Sequence, residues 1–253
     1  MNFPPFFVTT DYSCKASASK EEFETFKSPF YNDIRNHSVV IEGVIFMLEA
    51  SSACGLILAA GLSSRMGDFK PLMPFKGKTM IESTIDSMLA AGVKQIVIVL
   101  GYRGDDIESV LRLHYGKEII YARNPHYEIT DMLTSIKYGL HSMPHCKAFF
   151  LLPGDMPVVK KNTFLKLLKA QPHDRPAVLF PTLEGYRKHP PLIDYRFRDI
   201  ILEFEGEGGL QQIWKQQEEF IIHVPVDDDG VWMDLDTMED YEVCISRFCP
   251  AKI

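Results

Sequence analysis

From residue 55 onward, short apolar runs that stop at glycine alternate with stretches of helical period, and this alternation constrains the fold more than any other feature. The run Leu56–Ala60 ends at Gly61, QIVIVLG (95–101) ends at Gly101, and AFFLLPGD (148–155) ends at Gly154-Asp155. Runs of this length that are apolar throughout are expected to be strands buried on both faces. Between them, over Thr79–Ala91, the residues Ile81, Ile85, Met88 and Leu89 fall on one helical face, and Gly92 follows as a stop. Further helices are expected over Asp105–His114, Asp131–His141 and Asn162–Lys169, the last with Asn162 as its cap. EIIYA (118–122), AVLFPT (177–182), HPPLID (189–194) and FIIHVPV (220–226) are expected strands, the second and third folded about a turn at Glu184-Gly185. Two short helices are expected near 197–204 and 208–218. A short strand running into a final helix is expected in GVWMDLDTMEDYEVCISRF (230–248). The alternation predicts an α/β fold, a Rossmann-like three-layer sandwich whose mostly parallel sheet carries helices on both faces.

The chain has 253 residues, enough for one large α/β domain, with a net charge of −7 that argues against a general affinity for nucleic acid. Five cysteines (14, 54, 146, 244 and 249) form no CxxC pair, which fits a reducing cytoplasm. No apolar run reaches the roughly 18 residues of a membrane span; VVIEGVIFML (39–48) is short and holds Glu42. No basic segment leads into an apolar one at the amino terminus, so no signal peptide is expected. Residues 1–46, rich in aromatics, Ser and Lys, lack sustained periodicity. They fit a docking arm that packs Phe3, Phe6 and Phe7 on the main domain, a partly disordered extension, or a segment preceding a start at Met47. The main domain is expected over 47–253.

In open α/β sheets ligands bind at the carboxyl ends of strands, which is where Gly61 sits. Small residues let backbone N–H groups approach an anion, Arg65 can present a bidentate fork to phosphate oxygens, and Lys70 can deliver a point charge. CGLILAAGLSSRMGDFKPLMPF (54–75) therefore reads as a cradle for a triphosphate or pyrophosphate, or as a surface loop that happens to be basic. It is neither GxxxxGK[ST] nor GxGxxG. Asp155, at the end of a strand on the same edge, is the candidate magnesium ligand, its alternative role being that of a turn or cap. In MDLDT, Asp234 and Asp236 would share a strand face; Asp236 or Thr237 could equally cap the final helix, with Glu239 or Asp240 in its first turn. Asp227–Asp229 reads as a solvated turn. His141, His145 and Cys146 have a loosely metal-like spacing that nothing completes.

The full pattern LAAGxxxRMGxxKPL resembles the signature of the MobA-like nucleotidyltransferases, and most closely their molybdenum cofactor cytidylyltransferase branch. The resemblance continues through NPHYEITDMLTSIKYGL (124–140), LLPGDMPVV (151–159), GYRKHPPLI (185–193), GEGGLQQI (206–213) and VWMDLDTMEDY (231–241), covering about residues 55–245. It implies a nucleotide-diphospho-sugar transferase type of fold and Mg²⁺-dependent transfer of a nucleotidyl group to a phosphate. Arg65, Lys70 and Asp155 would be the catalytic residues, and Asp155 and Asp236 the metal ligands. Leu58, Ala59, Ala60, Gly61, Asn124 and Ser135 would join Arg65 and Lys70 at the nucleotide, with a capping or turn role as the alternative for Asn124 and Ser135. Arg187, Lys188 and His189 would lie at the acceptor, His189 having the alternative of an ordinary strand-end histidine.

The guanylyltransferase branch usually has Gly-Gly where this chain has Ala60-Gly61, and the cytidylyltransferase branch Ala-Gly, which implies CTP. Molybdopterin is the implied acceptor, and a molybdenum hydroxylase and its insertion chaperone are the implied partners. The chain departs from the pattern at Lys188, where Gly is common, and at Gly206–Leu210, which lacks an expected Arg. Both departures fall in the acceptor half, so transfer to a sugar or polyol phosphate, or a non-catalytic role as a cofactor chaperone, stays open.

Overall fold

A computed structural model describes residues 53–62, 69–233, 235 and 237–249. The extension expected over 1–46 lies outside these residues, as do Arg65, Asp234 and Asp236. The strands are β1 (Ala53–Ala59), β2 (Pro74–Phe75), β3 (Lys78–Thr79), β4 (Gln95–Leu100), β5 (Ile119–Arg123), β6 (Ala148–Pro153), β7 (Val178–Leu183), β8 (Tyr186–Arg187), β9 (Leu192–Asp194) and β10 (Ile221–Pro225). The helices are α1 (Met80–Ala90), α2 (Gly104–His114), α3 (Met132–Ser142), α4 (Lys161–Ala170), α5 (Arg198–Glu203), α6 (Gly209–Gln216) and α7 (Met238–Phe248).

The main sheet runs β10-β7-β9-β6-β1-β4-β5. Its centre is parallel, with Ile57 of β1 opposite Ile98 of β4 and Leu152 of β6. β9 runs antiparallel between β6 and β7. Because that single strand reverses direction on both sides, β7 ends at the same edge as β1 and β6. Side chains alternate across the pleat, so Ile57, Ile98 and Leu152 pack under α1, α2 and α4. Their neighbours Leu56, Val97, Val99 and Leu151 pack on the other face under α3, α5 and α6. The three layers follow directly from that alternation.

Helix α1 bears out the face read from its period, for Ile81, Ile85 and Met88 are fully buried. Its start is a capping box: Thr79 Oγ1 accepts from Glu82 N, and the Glu82 carboxylate accepts from Thr79 N. Thr237 caps α7 in the same way with Asp240.

Four expectations are corrected. Asn162 does not cap α4, because the helix starts one residue earlier and Lys160 occupies the cap position without a side-chain bond. The missing acceptor comes from Asp228 instead, whose Oδ2 accepts from Lys160 N at 2.9 Å and from Thr163 Oγ1 at 2.5 Å. Asp228 is therefore no solvated turn residue: it is only 2% exposed, and its Oδ1 accepts from Gly230 N. The strand expected after Gly230 is absent among the described residues, since Asp229–Val231 forms a 3-10 turn. Finally, the Glu184-Gly185 turn joins β7 to the two-residue β8 rather than to β9. Both turn residues have positive φ, 53° and 84°, as a two-residue hairpin of the right twist requires.

Candidate nucleotide site

Three segments converge at the carboxyl edge of β1 and β6. The end of β1 is pinned on both sides: Gly154 N donates to Leu58 O at 2.9 Å, and Tyr102 N donates to Ala60 O at 3.4 Å. Gly101 permits this approach. A Cβ there would stand 2.6 Å from Ala60 O and 2.8 Å from Tyr127 Cβ. The 3-10 turn Lys70–Leu72 then brings Lys70 back to the edge, where its Nζ lies 3.6 Å from Asp155 Oδ2. Lys70 is only 7% exposed. A lysine that deep needs a compensating charge, and Asp155 supplies one.

These groups face a cavity of about 290 Å³. Leu58, Ala59, Ala60, Gly61, Lys70, Ser135 and Asp155 line it, all residues that the sequence had nominated. Pro71, Tyr127, Thr130, Asp131, Met132, Pro153 and Gly154 also line it, and none of these had been assigned to binding. The signal for them was positional, since each sits inside a quoted block: KPL, NPHYEITDML or LLPGD. Asp131 also caps α3, where Thr134 N donates to its Oδ1 at 2.9 Å. That backbone bond holds its carboxyl below the usual aspartate range against the opposing effect of burial.

Asn124 does not line the cavity; it braces the wall from behind. It is 1% exposed, and its Nδ2 donates to Thr130 Oγ1 at 2.9 Å and to Ser135 Oγ at 3.1 Å. Its Oδ1 accepts from His126 N. Both amide hydrogens are thereby used within the protein, and the Ser135 oxygen is held as an acceptor at the cavity wall.

The acceptor candidates stand apart from this cavity, on and just after the β7–β8 hairpin. Arg187 donates to His223 Nε2 at 2.8 Å and to Glu218 Oε1 at 2.5 Å, and lies over the Phe180 ring. Lys188 Nζ sits 3.3 Å from the centre of the Trp232 ring. His189 precedes Pro190 through a cis peptide. Among the described residues no three His, Cys, Asp or Glu side chains cluster to hold a metal. Asp155 is the candidate ligand that the structure describes, and Arg65 and Asp236 lie outside the described residues.

A three-layer α/β sandwich with a cavity at the carboxyl edge of its first strand is the architecture of nucleotidyltransferases of the nucleotide-diphospho-sugar transferase fold. A nucleotidyl transferase from Methanothermobacter thermautotroptrophicus shares it, with a TM-score of 0.68 at 21% identity over 79% of this chain and 99% of that one. The chain belongs to the family of the MobA-like NTP transferase domain, whose model matches residues 55–220. It is 27% identical to a molybdenum cofactor cytidylyltransferase of Escherichia coli (strain K12), over 76% of this chain and 95% of that protein. It is 26% identical to a probable molybdenum cofactor guanylyltransferase of Bacillus cereus (strain Q1), over 76% of this chain and 94% of that one. No helix among the described residues is long and apolar enough to cross a membrane.

Proposed function

We propose that this protein transfers CMP from CTP to a phosphate-bearing acceptor, molybdopterin being the leading candidate, with release of pyrophosphate. The observation that carries the proposal is the Lys70–Asp155 pair, 3.6 Å apart in a cavity walled by Leu58–Gly61. An acceptor phosphate oxygen attacks the α-phosphorus in line, forming one P–O bond as the bridging P–O bond to the β-phosphate breaks. A phosphate monoester, with a second pKa of about 6, is already largely ionised near neutral pH, so no strong base is needed. The protein's share is positioning and charge neutralisation. Lys70 and Arg65 hold the triphosphate, and the Gly61 turn offers backbone donors.

A carboxylate on the cavity wall suits Mg²⁺, which takes one or two carboxylates and completes its shell with phosphates and waters. Asp155, with Asp236 as second ligand, would hold the ion. When bound it would neutralise charge on the phosphate oxygens. Identity to the two relatives does not choose the base, at 27% against 26%. Ala60 favours CTP: it lines the cavity at 6% exposure, and a methyl where the guanylyltransferase branch has glycine would narrow a pocket toward a pyrimidine. Such a change discriminates by about 1–3 kcal/mol. The cysteines of the described residues are all free, in keeping with a reducing cytoplasm, where a molybdenum hydroxylase and its insertion chaperone would be the partners.

The test is pyrophosphate release from CTP, GTP, ATP and UTP with magnesium, with and without molybdopterin, for the native chain and Asp155→Ala. CTP-selective release that needs molybdopterin and is lost in the variant is expected. Nucleotide binding without release for any acceptor would overturn the catalytic proposal in favour of a nucleotide-binding chaperone.

A further inference from the structure

Two large aromatic side chains are left in solvent beside the acceptor candidates. Tyr186 is 64% exposed and Trp232 is 49% exposed. They come from separate segments, yet their ring centres are 6.3 Å apart with the planes at 76°. Tyr186 is fixed by the β7–β8 hairpin, opposite Leu183. Lys188 N continues the hairpin's hold by donating to Pro181 O at 2.8 Å. Trp232 is fixed by the 3-10 turn before it: its N donates to Asp229 O, and Val231 beside it is 2% exposed. That turn lies against the loop leaving β6 after Asp155, for a Cβ on Gly230 would meet Val158 O at 2.3 Å. The exposed rings thus stand on firm backbone that abuts the Asp155 loop.

Rings of this size usually contribute by burial, and exposed aromatic patches mark binding sites. Two planes near a right angle form a corner, which suits a flat conjugated ring: it stacks on one wall and meets the other edge to face. Lys188 keeps a positive charge at the same corner, over the Trp232 ring. We infer that Tyr186, Trp232 and Lys188 form the subsite for a planar conjugated ring on the acceptor, with Lys188 adding a positive charge beside that ring. Arg187, bound by Glu218 and His223, braces the hairpin rather than the ligand. The inference rests on the proposed nucleotidyl transfer, and it selects a ring-bearing acceptor phosphate over a sugar or polyol phosphate.

Hydroxymethylpterin phosphate and a hexose phosphate serve as probes for the full chain, with binding followed by titration calorimetry and transfer by pyrophosphate release from CTP. The pterin phosphate is expected to bind and the hexose phosphate to bind far more weakly. Loss of one stacking wall, in Trp232→Leu or Tyr186→Ala, is expected to weaken pterin phosphate binding about tenfold or more, while Trp232→Phe retains most of it. CTP affinity is expected to stay unchanged in all three. Equal affinity for the two probes, or pterin phosphate affinity unmoved in both wall variants, overturns the inference. Ring-dependent binding with no pyrophosphate release from any nucleotide would uphold the subsite and sink the transfer proposal. Release driven by the hexose phosphate, unimpaired in Trp232→Leu, would do the reverse.

Discussion

Asp228→Ala is expected to destabilise the protein more than a substitution within an acidic surface run ordinarily would. In DDDG the three aspartates look interchangeable, but Asp228 is 2% exposed and accepts three hydrogen bonds, from Lys160 N, Thr163 Oγ1 and Gly230 N. Bonds to a charged acceptor contribute about 1.5–3 kcal/mol each, and a buried donor left without a partner costs about 1–3 kcal/mol. The three bonds share one carboxylate, so their losses do not add fully. A net loss of about 3–5 kcal/mol follows, a large part of the roughly 5–15 kcal/mol typical of a whole protein. Urea unfolding measures it. With a slope near the upper end of the usual range, about 3 kcal/mol per molar, the midpoint should fall by about 1–2 M. Asp227→Ala, at an exposed position, is the control and should stay within about 0.5 kcal/mol of the parent. If Asp228→Ala behaves like that control, the buried-staple account of the α4 start is wrong.

Three further outcomes follow from the same contacts. Gly101→Ala should destabilise by about 1–3 kcal/mol and weaken nucleotide binding, because the clash is with the Ala60 backbone and has no flexible side chain to move aside; unchanged unfolding and CTP titration would refute this. For Glu82, burial acts to raise the pKa, but the bonds from Thr79 Oγ1, Thr79 N and His114 outweigh it and hold the carboxyl below the usual glutamate range. A depressed folded pKa stabilises above the unfolded value and loses that contribution as pH falls through the folded one. Glu82→Gln should therefore be less stable than the parent at neutral pH, with the gap closing in acid; a gap independent of pH refutes it. Among the described cysteines, mild alkylation near neutral pH should reach the partly exposed Cys249 before the buried Cys244, whose thiol burial pushes up to about 11. Peptide mapping that finds Cys244 labelled first would refute this.

The layers were legible because buried parallel strands and amphipathic helices leave opposite periods in a sequence, as at 95–100 and 80–90. The cavity floor was legible too, since Gly61 and Asp155 end adjacent parallel strands, and in such sheets that edge binds ligands. What escaped were contacts between residues far apart in the chain. Asn162 has the chemistry of a cap, but the acceptor for α4 comes from Asp228, 68 positions beyond Lys160. Asn124 has the chemistry of a ligand contact, yet its amide is consumed by Thr130 and Ser135 once α3 packs beside β5. Propensity names the group that could act; only packing decides which partner it meets.

The same logic bears on the acceptor. Lys188 enters the sequence as a departure from the family pattern, and in isolation a lysine for a glycine is an added surface charge. The structure brings it to Trp232, 44 positions on, at 3.3 Å from the ring centre. The turn carrying Trp232 is in turn tied through Asp228 to Lys160 and Thr163, at the end of the loop that begins with Asp155. A substitution at the acceptor side is therefore linked by short, named contacts to the segment that carries the candidate metal ligand. Asp228→Ala should then perturb acceptor binding as well as stability, whereas Trp232→Leu should perturb acceptor binding alone. Measuring both effects in both variants separates the staple from the subsite: a Trp232→Leu protein as unstable as Asp228→Ala would mean that the ring is structural and that the exposed corner has no ligand to receive.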